Sequence, residues 1–228
     1  MHAMILAAGR GERLRPVTDQ IPKPLVEVGG QSLLWRHLVA LESTPVISLV
    51  VNGAWLADQV FAEVARYKQT TKAHLPVNWQ WHRQLEPAGG LETAGGIIMA
   101  LPRLGREPFW VVNADILTDF DWSAMPQTLG DGVLAHLVLV PTPAFKNQGD
   151  FGLTADGRVD PAGDWTFSGI SLLSPQLFEG FEVGRLALAP LLRAAMAKGQ
   201  VTGQVYSGYW QDVGTLGRLQ QARQDFAS

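Results

Sequence analysis

The feature that most restricts the fold is a junction near the N-terminus, where a short apolar run breaks into a glycine loop. Residues 3–7 read Ala-Met-Ile-Leu-Ala and are followed by Ala8, Gly9, Arg10 and Gly11. An uninterrupted apolar run of this length, bounded by glycine, is the pattern of a parallel strand covered on both faces, because polar alternation disappears when neither face meets water. Such a strand requires neighbours on both sides and helices above and below, and the following sequence supplies them. Residues 32–42 place Leu33, Leu34, His37, Leu38 and Leu41 on one helical face, with Ser32 as N-cap. Residues 46–51 form a second apolar strand, and 55–66 a helix with Leu56, Val60, Phe61 and Val64 at helical spacing. A strand at 77–81, a short helix at 93–101 and a strand at 109–112 complete an alternation that predicts a doubly wound α/β sheet.

The second half changes character. Residues 134–140 are apolar up to a break at Pro141-Thr142-Pro143, and 150–153, 158–160 and 165–173 read as short strands between turn residues. Residues 188–198 form an amphipathic helix with Pro190 in its first turn, where proline is tolerated. A strand at 201–206 and a C-terminal helix opening at Thr215 close the chain, with Asp212 expected after a strand over 206–210. No linker, charge run, low-complexity tract or internal repeat interrupts the pattern, so one domain over residues 1–228 is expected.

Composition removes several function classes. Apolar residues make up 46% of the 228 positions and charged residues 17%, enough for a sizeable core. A net charge of −3 argues against nucleic acid, whose binding needs an excess of Lys and Arg. With no cysteine, thiolate catalysis, disulfides and Cys-zinc sites are excluded. The N-terminal apolar run is too short for a signal peptide or membrane span, and no basic amphipathic helix suggests a membrane surface, so a soluble cytoplasmic protein is expected.

Against this acidic background, Arg10, Arg13, Arg15 and Lys23 concentrate four of the 18 basic residues in the first 24 positions, with Lys23 fixed between Pro22 and Pro24. The small residues Ala8, Gly9 and Gly11 let backbone N–H groups approach an anion closely, so a polyphosphate is the natural ligand. Walker A is excluded because no Lys-Ser/Thr follows the last glycine. The dinucleotide fingerprint is excluded because Leu14 stands where its third glycine belongs and Pro16 interrupts the following helix. The bland alternative, a surface turn with solvated arginines, suits Gly-x-Gly alone better than the full constellation.

Leu6-Ala7-Ala8-Gly9-x-Gly11-x-Arg13-x-x-Pro16 followed by Pro22-Lys23-Pro24 resembles the signature of the sugar-1-phosphate nucleotidylyltransferases. Later segments follow in that family's order: Gly90-Leu91-Glu92-Thr93-Ala94-Gly95-Gly96, Val111-Val112-Asn113-Ala114-Asp115, Phe167-Ser168-Gly169-Ile170 and Trp210-Gln211-Asp212-Val213-Gly214-Thr215. The resemblance implies an α/β fold of Rossmann-like type, a mixed, mostly parallel sheet flanked by helices, with the N-terminal half binding nucleotide and the C-terminal half sugar phosphate. It implies attack of a sugar 1-phosphate on the α-phosphorus of a nucleoside triphosphate, with pyrophosphate leaving. The nucleophile has a second pKa near 6 and is largely ionised at neutral pH, so charge neutralisation and alignment are needed rather than a general base.

Carried onto this chain, the resemblance implies Arg13, Lys23 and Asp115 as catalytic residues and Mg²⁺ held by Asp115 and Asp212. Ala8, Gly9, Gly11, Glu12, Arg13, Lys23, Gln84, Gly90 and Thr93 would line the nucleotide, and Asn113, Asp150, Ser168 and Gly169 the sugar. Read alone, Asp115 is a turn or N-cap aspartate; Asp119 and Asp121 are rival carboxylates in a Trp-Ser turn; Asp150 serves equally as a turn cap; Thr93 faces the base or caps its own helix. Pro87-Ala88-Gly89-Gly90 is longer than the usual base-binding segment, and residues 160–164 lack the family's Glu-Lys-Pro lysine, leaving Lys146 or an arginine to serve the sugar phosphate. His37 and His136 sit in apolar patterns and read as core or boundary residues. Within the family the resemblance is strongest to bacterial uridylyltransferases of cell-wall recycling, which implies UTP and N-acetylmuramate α-1-phosphate as substrates and a monomer. The alternatives are another sugar 1-phosphate or phosphocholine with UTP, dTTP, CTP or GTP, and a catalytically silent binding regulator.

Overall fold

The first strand, β1 (His2–Leu6), lies at the centre of the sheet, as its all-apolar sequence requires. The computed structural model describes residues 1–71 and 90–226, with the backbone of residues 81–85 between them. After β1 come α1 (Val17–Gln20), β2 (Glu27–Val28), β3 (Gln31–Ser32), α2 (Leu33–Glu42), β4 (Ser48–Gly53), α3 (Ala57–Thr70) and β5 (Trp81–Leu85). The chain continues through α4 (Glu92–Leu104), β6 (Phe109–Asn113), β7 (Ile116–Thr118), β8 (Ala135–Pro141), β9 (Phe151–Leu153) and β10 (Val159–Leu173), and ends with α5 (Leu188–Met196), β11 (Val201–Val205), β12 (Trp210–Asp212) and α6 (Leu216–Asp225).

The main sheet runs β11-β8-β10-β6-β1-β4-β5, with β9 added to β10. Strands β6, β1, β4 and β5 are mutually parallel, β10 is antiparallel to β6 and β8, and β11 is parallel to β8. Ala3, Ile5, Leu49, Val51, Trp110 and Val112 point to one face, under Leu34, Leu38 and Leu41 of α2 and Val60 and Val64 of α3. Their neighbours Met4, Val50, Phe109 and Val111 point to the other, under Ile97 and Ile98 of α4 and Leu191 and Leu192 of α5. Each such side chain contributes about 1.5–3 kcal/mol by leaving water, so the alternation fixes the register of the parallel strands. Ser32 caps α2 by accepting from the Trp35 amide at 3.1 Å, as its sequence position predicts.

Three expectations need correction. Residues 158–160 and 165–173 belong to one strand, β10, whose register shifts between Asp160 and Trp165 and again between Phe167 and Ser171. Glycine at 163 and 169 lets the strand bend without breaking, which a turn-based reading mistakes for two strands. No strand spans 206–210: β11 ends at Val205, and Asp212, expected after a strand, lies inside β12, paired with β7. The strand expected at 77–81 appears as Trp81–Leu85, residues 77–80 lying outside the described residues.

The order of the sheet reverses at β1. Connection α2 leads to β4 on one side of it, and α4 to β6 on the other, across opposite faces. A crevice therefore opens beyond the carboxyl ends of β1 and β6, the place where open α/β sheets bind ligands.

Candidate active site

The glycine loop leaves β1 into this crevice and is fixed from both sides. Gly11 has φ of 69°, and a Cβ there would lie 3.0 Å from Thr18 Cγ2 and 3.2 Å from Lys23 Cβ, so glycine is required by conformation and by space. Its carbonyl accepts from Leu14 N at 2.9 Å and from the Thr18 hydroxyl at 2.8 Å. Leu14, fully buried, joins Val26, Val28, Leu33, Val213 and Leu219 in a satellite core beneath the loop. That is the physical reason a large residue stands where a dinucleotide loop has glycine. On the other side Arg10 donates to the Thr18 carbonyl and to Asp19, each at 2.8 Å, and its guanidinium lies 3.7 Å over the Trp55 ring. Trp55 Nε1 donates to the same Thr18 carbonyl at 2.9 Å, and Asn52 Oδ1 accepts from Ala7 N at 2.7 Å.

Lys23, buried beside this loop, forms an ion pair with Asp115 and stands 3.8 Å from Asp212 Oδ1. Ninety-two residues separate Lys23 from Asp115, and the device that unites the two aspartates is the short β12–β7 ladder. Asp212 pairs with Ile116, and Val213 N donates to the Asp115 carbonyl at 3.0 Å. Behind the ladder His37 is buried with Nε2 3.0 Å from the Ile116 carbonyl; desolvation pushes its pKa down to about 4, which keeps it neutral and makes Nε2 the donor. It is a core histidine, as its apolar surroundings in the sequence predict.

Asp212 Oδ2 faces Arg218 Nη1 at 3.2 Å, whereas its Oδ1 is buried without a hydrogen-bond partner. A buried carboxylate oxygen lacking a donor is costly unless a cation completes it. Asp115 and Asp212 both face the Lys23 ammonium, which at 3.8 Å leaves Asp212 Oδ1 without a hydrogen bond, and such a pair of carboxylates suits a hard divalent ion that takes its other ligands from phosphate and water. Among the described residues no group of three or more metal-binding side chains assembles anywhere.

Two cavities meet at Asn113 and Asp115, which line both. The first, about 740 Å³, is bounded by Ala7, Ala8, Gly9, Arg10, Glu12, Lys23, Asn52, Trp55, Gly90 and Thr93. The second, about 570 Å³, is bounded by Arg13, Lys146, Asp150, Ser168, Trp210, Asp212 and Arg218. Arg13 thus faces the second cavity, and its side chain forms no ion pair among the described residues. Thr93 does not cap its helix: the N-cap position is Leu91, without a side-chain cap, and Thr93 lines the first cavity. The Gln84 side chain and residues 86–89 lie outside the described residues.

The second cavity rests on the bend in β10. Gly169 has φ of 86°, and a Cβ there would sit 2.8 Å from Asn113 Nδ2, so the glycine admits the asparagine amide to the floor of the site. The Ser168 hydroxyl is buried and accepts from Ile170 N at 3.1 Å, while its carbonyl accepts from Trp210 Nε1 at 2.8 Å. Asp150 is no turn cap. It accepts from Lys146 Nζ at 2.7 Å on both oxygens and from Phe167 N at 3.0 Å. The rival carboxylates lie elsewhere, Asp119 held by the Tyr206 hydroxyl and Asp121 capping a short turn through Ser123 N at 2.8 Å.

Sequence reasoning counted Arg10 in the basic cluster without a role of its own and assigned none to Asn52, Trp55 or Arg218. Asn52 and Trp55 carry no signal beyond lying at or just past a strand end, and Arg218 only that it lies one turn inside the helix opened by Thr215, whose hydroxyl accepts from its amide at 3.3 Å.

Comparison with known proteins agrees with this geometry. Residues 2–157 match a family model described as nucleotidyl transferase. N-acetylmuramate alpha-1-phosphate uridylyltransferase of Neisseria meningitidis serogroup B is 46% identical over 234 residues, covering 98% of this chain and 97% of that protein. The protein of the same name from Caulobacter vibrioides is 34% identical over 93% of this chain and 91% of its own length. Among solved structures, HddC from Yersinia pseudotuberculosis complexed with GMP-PN shares the fold over 99% of both chains, with a TM-score of 0.76 at 22% identity. Among the described residues no helix is long and apolar enough to cross a membrane.

Proposed function

This chain belongs to the nucleotidyl transferase family, and we propose that it transfers the uridylyl group of UTP to N-acetylmuramate α-1-phosphate, releasing pyrophosphate and UDP-N-acetylmuramate. The observation that carries this reading is Lys23, buried between Asp115 and Asp212 at the point where the two cavities join. One cavity is then the seat of the triphosphate and the other that of the sugar phosphate, so the N-terminal half of a single domain serves the nucleotide and the C-terminal half the sugar. The two full-length relatives named for this reaction support the choice of base and sugar.

The chain's own residues have a defined task. Two anionic reactants must be brought together, and the acceptor phosphate is already ionised near neutral pH, so no side chain needs to remove a proton. The glycine loop presents backbone N–H groups to the triphosphate. Lys23 supplies a mobile positive charge at the transferred phosphoryl group, and Arg13, on the sugar side of the loop, a planar fork for phosphate oxygens. Asn113, over Gly169, and Asp150 orient the sugar so that its phosphate lies in line with the leaving pyrophosphate. Asp115 and Asp212 would hold Mg²⁺. When bound, the ion neutralises phosphate charge that Lys23 alone leaves uncompensated. Arg10, stacked on Trp55, keeps the loop in its binding shape.

Pyrophosphate release measured for four nucleoside triphosphates against a panel of sugar 1-phosphates tests the reading. UTP with N-acetylmuramate α-1-phosphate should give the highest kcat/KM. A different best pair moves the assignment within the family, and turnover with no pair leaves a binding protein.

A further inference from the structure

Three cationic side chains line the second cavity, Arg13, Lys146 and Arg218, and they have different partners. Arg13 follows the glycine loop, and Arg218 is committed to Asp212 at 3.2 Å, the carboxylate that also faces Lys23. Lys146 comes from the segment between β8 and β9. Its Nζ lies 2.7 Å from both oxygens of Asp150 and 3.4 Å from Thr166 Oγ1. Position along β10 gives the direction: Gly169 touches Asn113 at the carboxyl end of β6, and β10 runs antiparallel to β6, so Thr166 lies outward from it. Lys146, held at Thr166 and Asp150, therefore lies toward the outer part of the cavity, away from Asn113, where the side of a sugar remote from its phosphate would reach.

The pair is built to receive an anion there. Asp150 alone would repel a negatively charged sugar, and Lys146 cancels that charge. Asp150 is itself held by Phe167 N at 3.0 Å, so the lysine has a fixed anchor. Its long contact to Thr166 is the one a stronger acceptor would replace. The segment is pinned across the cavity by Phe145, whose ring lies 4.3 Å from the Arg218 guanidinium, and the Lys146 side chain remains 30% exposed to an incoming ligand.

We propose that Lys146 reads a second anion on the acceptor, the carboxylate of a lactyl ether on the sugar ring, and so sets a preference for an acidic sugar phosphate. The proposal rests on the functional reading above, since N-acetylmuramate α-1-phosphate differs from N-acetylglucosamine α-1-phosphate only by that ether.

The test is the ratio of kcat/KM for these two sugar phosphates, with UTP, in the wild-type protein, Lys146→Met and Lys146→Arg. Lys146→Met should lower the ratio roughly ten- to hundredfold, the range of a hydrogen bond to a charged group, and Lys146→Arg should restore part of it. A merely structural lysine would lower both rates together, and a ratio within twofold of wild type overturns the proposal. If the wild-type protein uses neither sugar phosphate, the functional reading fails, and calorimetric binding of the same two compounds judges Lys146 separately. Loss of preference in Lys146→Met supports the proposal there, and equal or absent preference in the wild type overturns it.

Discussion

The two cavities that meet at Asn113 and Asp115 are built by opposite means. The first has one wall of consecutive backbone leaving a buried strand, fixed by the fully buried Leu14 and by the left-handed Gly11, while Lys23, Asn52, Trp55, Gly90 and Thr93 close it from elsewhere. The second is assembled from distant parts of the chain, a bent strand, a two-strand ladder and a helix start, and its polar side chains are held in ion pairs, Lys146–Asp150 and Arg218–Asp212. A wall cut from backbone serves the phosphates that every nucleoside triphosphate shares, whereas a site assembled from side chains can be changed residue by residue to suit a different sugar.

The largest effect should come from the shared junction. Asp115→Asn is expected to lower kcat roughly a thousandfold while leaving the unfolding midpoint nearly unchanged. Full Mg²⁺-dependent turnover would remove Asp115 from the metal pair. On the backbone-built side, Leu14→Ala empties a buried site and should cost roughly 2–5 kcal/mol in chemical denaturation. Because Leu14 packs beneath the loop and also against Val213 and Leu219, its kinetic mark should be a raised KM for both substrates, larger for the triphosphate; an unchanged KM for the triphosphate would contradict that support of the loop.

His37, between α2 and the ladder that carries Asp115, ties stability to pH. Its folded pKa, pushed down to about 4, lies below the ordinary 6.5, so the unfolded chain binds a proton that the folded one refuses. Stability should fall as pH drops through 6.5 toward 4, by about 3 kcal/mol at most. His37→Gln should flatten that interval of the stability profile, and an unchanged slope would show that another group carries it. The smallest effect is expected on the side-chain-built side. The pair Lys146–Asp150 is about one-third exposed, so Asp150→Asn should change folding stability by less than about 1 kcal/mol, yet raise KM for the sugar phosphate more than for UTP.

The contrast also explains what the sequence disclosed. Runs such as 3–7 and 109–112, the cap at Ser32 and the glycine loop are local patterns, and local patterns survive in a linear reading. The convergence of Asp115 and Asp212 does not, because it depends on a three-residue ladder between distant segments, and only family resemblance suggested it. The bend near Gly163 looked like a turn between two strands, and the one that seats Gly169 against Asn113 lay unseen inside the strand expected over 165–173. Arg10 was legible as part of a basic cluster, but its stacking on Trp55 depends on the tertiary approach of the loop to the end of β4.

The central claim is that uridylyl transfer occurs at Lys23, between the two cavities. Its most direct test is mass-spectrometric detection of UDP-N-acetylmuramate formed from UTP and N-acetylmuramate α-1-phosphate, with the wild-type protein and Lys23→Ala measured side by side. Product and pyrophosphate should appear in equal amounts with the wild type and at least roughly a hundredfold more slowly with Lys23→Ala. Undiminished product formation by Lys23→Ala, or none by the wild type, would contradict it.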